Sequence, residues 1–144
     1  MKIKKKEVIL EERGWPGHYV WCSYCEFRRN SLVTCEDVNI VVSTVGFQTK
    51  QSDTDPFSFE VVEIAIGRHY ETMAFVADNS EHKNADIDRK IELGCKWEIN
   101  LEGETEKHLE ADDMHGEAVM WVADQLLNGT LEIPEKGLPS AEAP

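Results

Sequence analysis

Long hydrophobic runs are missing from this chain. No apolar stretch approaches the ~20 residues that a membrane-spanning helix needs, which leaves no candidate helical span and no membrane partner to expect. The start, MKIKKKEVILEERG, is basic but has no small-residue cleavage site. Its apolar patch Val8–Leu10 is shorter than the roughly 7–15 residues of a signal-peptide core. A soluble, cytoplasmic protein is the expectation. Cysteine is scarce, with Cys22, Cys25, Cys35 and Cys95 only. In that compartment these read as thiols or metal ligands rather than a disulfide frame. Basic residues are scarce too, 15 against 28 acids, for a net charge of −13. An acidic surface repels phosphate backbones, which argues against direct nucleic-acid binding. It suits solubility or a basic protein partner. Phosphate loops, dinucleotide fingerprints, serine elbows and H-E-x-x-H are all absent. Their absence lowers the expectation of an enzyme without removing it.

The chain's 144 residues, 41% of them apolar, fit one domain with a full core. Charge is uneven: residues 1–50 carry +2 and residues 51–144 carry −15. Strand signals come first. Val8–Glu12 is short and apolar, Trp15-Pro16-Gly17 is a turn, and His18–Cys22 reads as a returning strand. Phe27–Thr34 and Val38–Val45 form a second pair across the short link Cys35-Glu36-Asp37. The run Ile40-Val41-Val42 suits a central strand covered on both faces. Gln48–Ser58 reads as an exposed loop, Phe59–Ile66 and Arg68–Ala77 as strands around Gly67, and Asp78–Asn84 as a loop. In Arg68–Ala77, His69, Glu71, Met73 and Phe75 share one face; Tyr70, Thr72, Ala74 and Val76 share the other. Ile87–Leu93 and Lys96–Leu101 are further strand candidates, the first weakly patterned.

A helix follows at about Glu110–Leu127. Val119, Val122, Ala123, Leu126 and Leu127 recur at helical steps, acids crowd its start, and Asn128-Gly129 ends it. The expected fold is α+β: an antiparallel, meander-like sheet of about 6–8 strands with one C-terminal helix across a face. Residues 1–130 form that domain, and the Pro-containing acidic stretch 131–144 is expected to be a flexible tail.

Four constellations could carry chemistry. His18, Cys22, Cys25 and Cys35 combine a C-x-x-C spacing with two further soft ligands, the makings of a zinc site. A strong zinc signature would repeat the motif, however, and structural thiols are the competing reading. The C-x-x-C also lacks the helix N-terminus of a redox motif. Next, Arg28, Arg29, Asn30, Arg68, His69, Tyr70 and Glu71, with Trp15, Trp21 and Tyr24, resemble a pocket for a planar anionic ligand such as a nucleotide. The alternative is that Arg28 or Arg29 pairs with Glu71 or Glu60, since alternation sends adjacent arginines to opposite faces. Third, His108, Asp112 and His115 fall along one side of the helix, as metal ligands or as capping and solvated groups. Last, carboxylates around Asp86, Asp88 and Glu98–Glu117 are too frequent to single out a Mg²⁺ or acid–base pair.

The blocks RGWPGHYVWCSYCEFRRNSL, VVSTVG, GRHYETMAF and DIDR, with Met114-His115-Gly116-Glu117, resemble a family of small uncharacterised bacteriophage and prophage proteins. The similarity runs over roughly residues 13–128. The family's first cysteine falls at Trp21, so only Cys25 keeps its place, which weakens the zinc reading. The resemblance implies a mobile-element setting. From it follows the expectation of a non-enzymatic accessory protein acting by binding, specifically a host-defence modulator. It would sequester a nucleotide-like signal at Trp15, His18, Arg28, Arg29, Asn30, Arg68, Tyr70 and Glu71, or block a host protein. Alternatives are a small metal- or thiol-dependent enzyme and a phage structural or assembly component. No cofactor is expected unless zinc binds at His18, Cys22, Cys25 and Cys35, and a homo-oligomer is compatible with an open sheet edge.

Overall fold

The computed structural model describes residues 6–14, 25–77, 87–102 and 106–135. Its strands are β1 (Val8–Gly14), β2 (Arg28–Cys35), β3 (Val38–Val45), β4 (Gln48–Gln51), β5 (Phe59–Val62), β6 (Tyr70–Ala77), β7 (Ile87–Ile91) and β8 (Glu98–Ile99). They are followed by a single helix among the described residues, α1 (His108–Asn128). Six strands form one antiparallel sheet in the order β1-β2-β3-β6-β7, with β8 also beside β6. β4 and β5 make a separate two-stranded sheet. The fold is α+β, as the strand-then-helix pattern implies. Trp15-Pro16-Gly17, the returning strand His18–Cys22, the loop Asp78–Asn84 and most of the tail lie outside the described residues.

The sequence pattern misses one element. Gln48–Ser58 reads as a loop, yet Gln48–Gln51 is a strand paired with β5, Gln48 opposite Val62 and Gln51 opposite Phe59. Its side chains are polar and half-buried or exposed, so no hydrophobic period marks it. Main-chain pairing with an apolar partner strand makes the element. The loop proper is Ser52–Ser58, closed by the Ser52 N–H bond to the Ser58 carbonyl at 2.9 Å.

Strand alternation sorts the main sheet into two faces. The helix-facing rows are read from the register. Val33, Ile40 and Val76 lie abreast, as do Val42 and Ala74 one row further along. With Ile91 they form an apolar cluster closed by Ala118, Val119, Val122, Ala123 and Leu126 of α1. A second cluster at the other end joins Phe47, Tyr70, Ile99 and Leu101 to Ala111 and Met114. On the opposite face Leu32, Val41 and Ala77 are buried together, so Ile40-Val41-Val42 is covered on both sides.

α1 ends where Gly129 takes φ +67°. There its N–H reaches the Leu126 carbonyl at 3.2 Å and the Thr130 N–H reaches Gln125 at 2.9 Å. This two-bond closure satisfies the last carbonyls, and the left-handed residue is the glycine the sequence places there. At the start, the Glu106 carboxylate accepts the His108 N–H at 3.0 Å, and Tyr70 Oη accepts the Lys107 N–H at 2.9 Å. Acceptors thus meet amides that have no helical partner.

Candidate functional site

A polar belt crosses the helix-facing side of the sheet between the two apolar clusters. Register builds it. Glu12 of β1 lies opposite Ser31 of β2; Arg29 of β2 lies opposite Thr44 of β3, which lies opposite Thr72 of β6. The helix adds His115, fully buried between them. His115 Nε2 is 2.8 Å from Ser31 Oγ, and its Nδ1 is 2.7 Å from Thr44 Oγ1. Thr44 Oγ1 lies 2.6 Å from Thr72 Oγ1, and Ser31 donates to Glu12 Oε1 at 2.7 Å.

These contacts fix the tautomer. The single hydroxyl proton of Ser31 goes to Glu12, so Ser31 can only accept from the ring, and Nε2 carries the hydrogen. Nδ1 is then the bare nitrogen and accepts from Thr44, which in turn accepts from Thr72. The bonds run one way, from Thr72 through Thr44, His115 and Ser31 to Glu12. Ser31's proton is held by a carboxylate, so His115 does not serve it as a base; the arrangement positions groups and does not activate a nucleophile.

Arg29 anchors the outer end. Its Nη2 meets Glu12 Oε1 at 2.9 Å and its Nη1 meets Asp112 Oδ1 of α1 at 2.7 Å. The Glu12 hydrogen bond is the chief reason its guanidinium is held above the ordinary range. Burial works to raise the Glu12 carboxyl, but hydrogen bonds from Arg29 and Ser31 outweigh it and the net shift is downward. Burial, with the Arg29 charge, pushes His115 down to about 4, against the opposing pull of Glu12 and Asp112. It is therefore neutral at pH 7.

Above this outer end lies a cleft of about 230 Å³ between β1 and α1. Glu12, Arg29 and Ser31 form its polar wall; Leu10, Val119 and Met120 form its apolar wall, and Gly116 lies between.

A second knot sits at the N-terminus of α1. Tyr70 is fully buried and its Oη is 2.8 Å from His108 Nδ1. Oη also accepts from the Lys107 N–H, and the His108 ring stacks on Phe47 at 5.8 Å and 19°. Burial pushes the Tyr70 hydroxyl up to about 12. Gly46 permits this packing: a Cβ there would stand 2.7 Å from Phe27 Cβ and 2.9 Å from the Tyr70 ring.

The expected ligand set is divided. Trp15 and His18 lie outside the described residues, with Trp21, Tyr24 and Cys22. Arg29 and Tyr70 face the helix, in separate hydrogen-bond groups. Arg28, Asn30 and Glu71 belong to the opposite face, where Arg28, Val45 and Glu71 lie abreast. Arg68 joins Glu71 at 2.5 Å and Glu98 at 3.0 Å, and lies 4.6 Å above the Trp97 ring. Asn30 is buried and its Oδ1 has no hydrogen-bond partner among the described residues. Of the expected pairing of Arg28 or Arg29 with Glu71 or Glu60, only the Arg29 half is corrected: Arg29 takes Glu12 and Asp112 because it projects toward α1, whereas Arg28 shares a face and a row with Glu71. Glu60 lies across the small sheet from Lys50, at 3.8 Å.

Of the candidate zinc ligands, His18 and Cys22 lie outside the described residues. Cys25 precedes β2 and Cys35 ends it, and the strand's residues alone span ~20 Å at strand rise, so the two cannot share an ion. Cys35 lies within the first apolar cluster, and Cys25 bridges Gln48 before β2. His108, Asp112 and His115 are committed to Tyr70, Arg29, and the Ser31/Thr44 pair respectively. Among the described residues no three His, Cys, Asp or Glu groups gather as a metal would need.

Sequence reasoning overlooked Glu12, Ser31, Thr44 and Thr72. Each is ordinary in its own strand and acquires meaning only from register. The one readable sign was Gly116, a poor helix former inside an otherwise clear helix. The segments Phe-Arg-Arg-Asn-Ser, Ser-Thr-Val-Gly, Tyr-Glu-Thr-Met and Met-His-Gly-Glu, quoted for the bacteriophage resemblance, meet around His115.

A further surface stands on the β4–β5 hairpin. Phe59 and Val61 share one face of β5 and are 68% and 47% exposed. Phe57, at the hairpin tip, is 92% exposed, and Ile66 beyond β5 is fully exposed. The intervening Glu60 points to the other face.

A scan against protein-family models finds no match, and searches of curated proteins and of solved structures likewise return none.

Proposed function

We propose that this chain is a non-enzymatic accessory binding protein of the bacteriophage type, a host-defence modulator that acts by docking on a host protein in the bacterial cytoplasm. The observation that carries the docking reading is the Phe57, Phe59 and Val61 stripe. Large exposed apolar groups side by side, here Phe59 and Val61 on one face of β5 with Phe57 at the adjoining turn, mark interaction surfaces, and each Phe buried on docking contributes roughly 1.5–3 kcal/mol. A net charge of −13 favours a basic partner. The reading also fits the arginines: Arg29 and Arg68 each already hold two carboxylates of this chain.

The test uses the tagged full chain expressed in a bacterial host, with Phe57→Ser/Phe59→Ser as the comparison. The expected result is a stoichiometric partner protein that the double variant loses while keeping its circular dichroism and melting temperature. Light scattering on the purified chain accompanies it: a dimer abolished by the same substitutions would reassign the stripe to a second copy.

Sequestration of a nucleotide-like signal is the second reading. It is favoured by the buried Asn30 Oδ1, which has no hydrogen-bond partner among the described residues and is an acceptor suited to a base amino group, on the face that carries Arg28 and Glu71. Thermal shifts against cyclic and linear nucleotides test it. A stabilisation lost in Arg28→Ala or Asn30→Ala would establish it over docking.

A further inference from the structure

Gly116 is the anomaly from which the cleft is best understood. A glycine inside a helix costs about 1 kcal/mol against alanine. Close packing often justifies it, but a Cβ on Gly116 would meet nothing within 4 Å. The space is open, and Gly116 lines the cleft. Helix spacing places Asp112 and Asp113 one turn before this gap and Val119 and Met120 one turn after it. β1 closes the other side, with Leu10 beside the apolar end and Glu12 at the polar wall.

The recess therefore has an apolar trough and a polar end, where Glu12 and Arg29 balance on the wall itself and the excess negative charge comes from the carboxylates of α1 beside it. Glu12, Asp112 and Arg29 together carry a net negative charge, and Asp113 and Glu117 are exposed close by on the helix. From His108 to Asn128, α1 contains no lysine or arginine to offset them. Glu12 Oε1 accepts from Arg29 and Ser31, whereas Oε2 has only a 3.4 Å contact with Arg29 Nε. That oxygen retains acceptor capacity at a half-exposed position. An aliphatic stem ending in a cation fits both ends, because lysine and arginine bury their methylenes and keep the charged head at polar groups.

We propose that the cleft between β1 and α1 is a socket for a lysine or arginine side chain presented by a polypeptide. It is built from residues other than those of the hairpin stripe, and it stands or falls independently of docking there.

Amide chemical shifts of the ¹⁵N-labelled full chain test this with the capped tripeptides Ac-Ala-Lys-Ala-NH₂ and Ac-Ala-Arg-Ala-NH₂. Norleucine and glutamate versions and free cadaverine serve as comparisons. The lysine and arginine peptides are expected to move Glu12, Gly116 and Met120, binding roughly two- to fivefold tighter than the norleucine peptide, as a half-exposed ion pair allows. The glutamate peptide is expected to move none of them. Gly116→Leu is expected to abolish the response and to raise the melting temperature, since a better helix former then fills open space. No movement at these amides, an equal response to norleucine, or a response that survives Gly116→Leu would overturn the socket. So would a lower melting temperature of Gly116→Leu, because the space would not be open. Cadaverine binding as tightly as the lysine peptide would overturn the polypeptide as its source.

Discussion

His115 shows how a titratable residue comes to serve a core. It is fully buried, yet both ring nitrogens are hydrogen-bonded, so the cost of burying a polar group is met. Protonation is another matter. Burial lowers its pKa from the ordinary 6.5 to about 4, so the unfolded chain takes up a proton at a pH where the folded one does not. Stability is therefore full above pH 6.5 and falls as pH drops toward 4, by up to about 3 kcal/mol over that window. Glu12 acts in the same direction at lower pH: its depressed carboxyl contributes stability above 4.5 that is lost as pH falls through its folded value. Urea denaturation of the wild type and His115→Gln across pH 4–7 checks this. The variant is expected to be less stable at pH 7 and to lose most of the slope in the histidine window; an unchanged slope would count against a neutral buried His115.

At the scale of elements, the tight connections carry the readable strain. The β2–β3 link places Glu36 at φ +56°, a left-handed conformation that costs a side-chain-bearing residue roughly 1–2 kcal/mol. Asparagine tolerates that region better than glutamate. Glu36→Asn is expected to raise stability by about 0.5–1 kcal/mol, measured as a shift in urea midpoint without change in slope. The reverse holds at the end of α1. Gly129 at φ +67° already suits its position, and Gly129→Ala is expected to cost about 1 kcal/mol by the same measurement. The pair tests one rule in both directions, because the left-handed backbone is shared and only the residue differs.

For the whole molecule, charge is the governing quantity. A net charge of −13 on a 144-residue chain repels itself in the compact state. Raising sodium chloride from ~10 mM to ~150 mM shortens the screening length from ~30 Å to ~8 Å and is expected to raise the melting temperature. A fall would mean that attractive pairs such as Arg29–Glu12 and Arg68–Glu98 outweigh the repulsion. Much of the architecture was legible in the sequence. The run Val38–Val45, the helical period through Val119 and Val122, and the Asn128-Gly129 stop are local signals, and the structure places each as read. β4 was not legible, because its polar residues owe their strand to a partner. The site was legible only in pieces. Arg29 stood out by its chemistry; Glu12, Ser31 and Thr72 did not, being separated by long stretches of chain and joined by pairing register alone. By itself the sequence determined the class of fold, the acidity, and the helix with its C-terminal stop, since periodicity, composition and capping act within a few residues; the helix start lies at His108, two residues before the Glu110 that the pattern suggests. Only the tertiary structure decided which polar side chains meet His115, that Arg29 is matched by two carboxylates, and that Gly116 opens a cleft. Those facts depend on which strands lie side by side and on which face the helix covers.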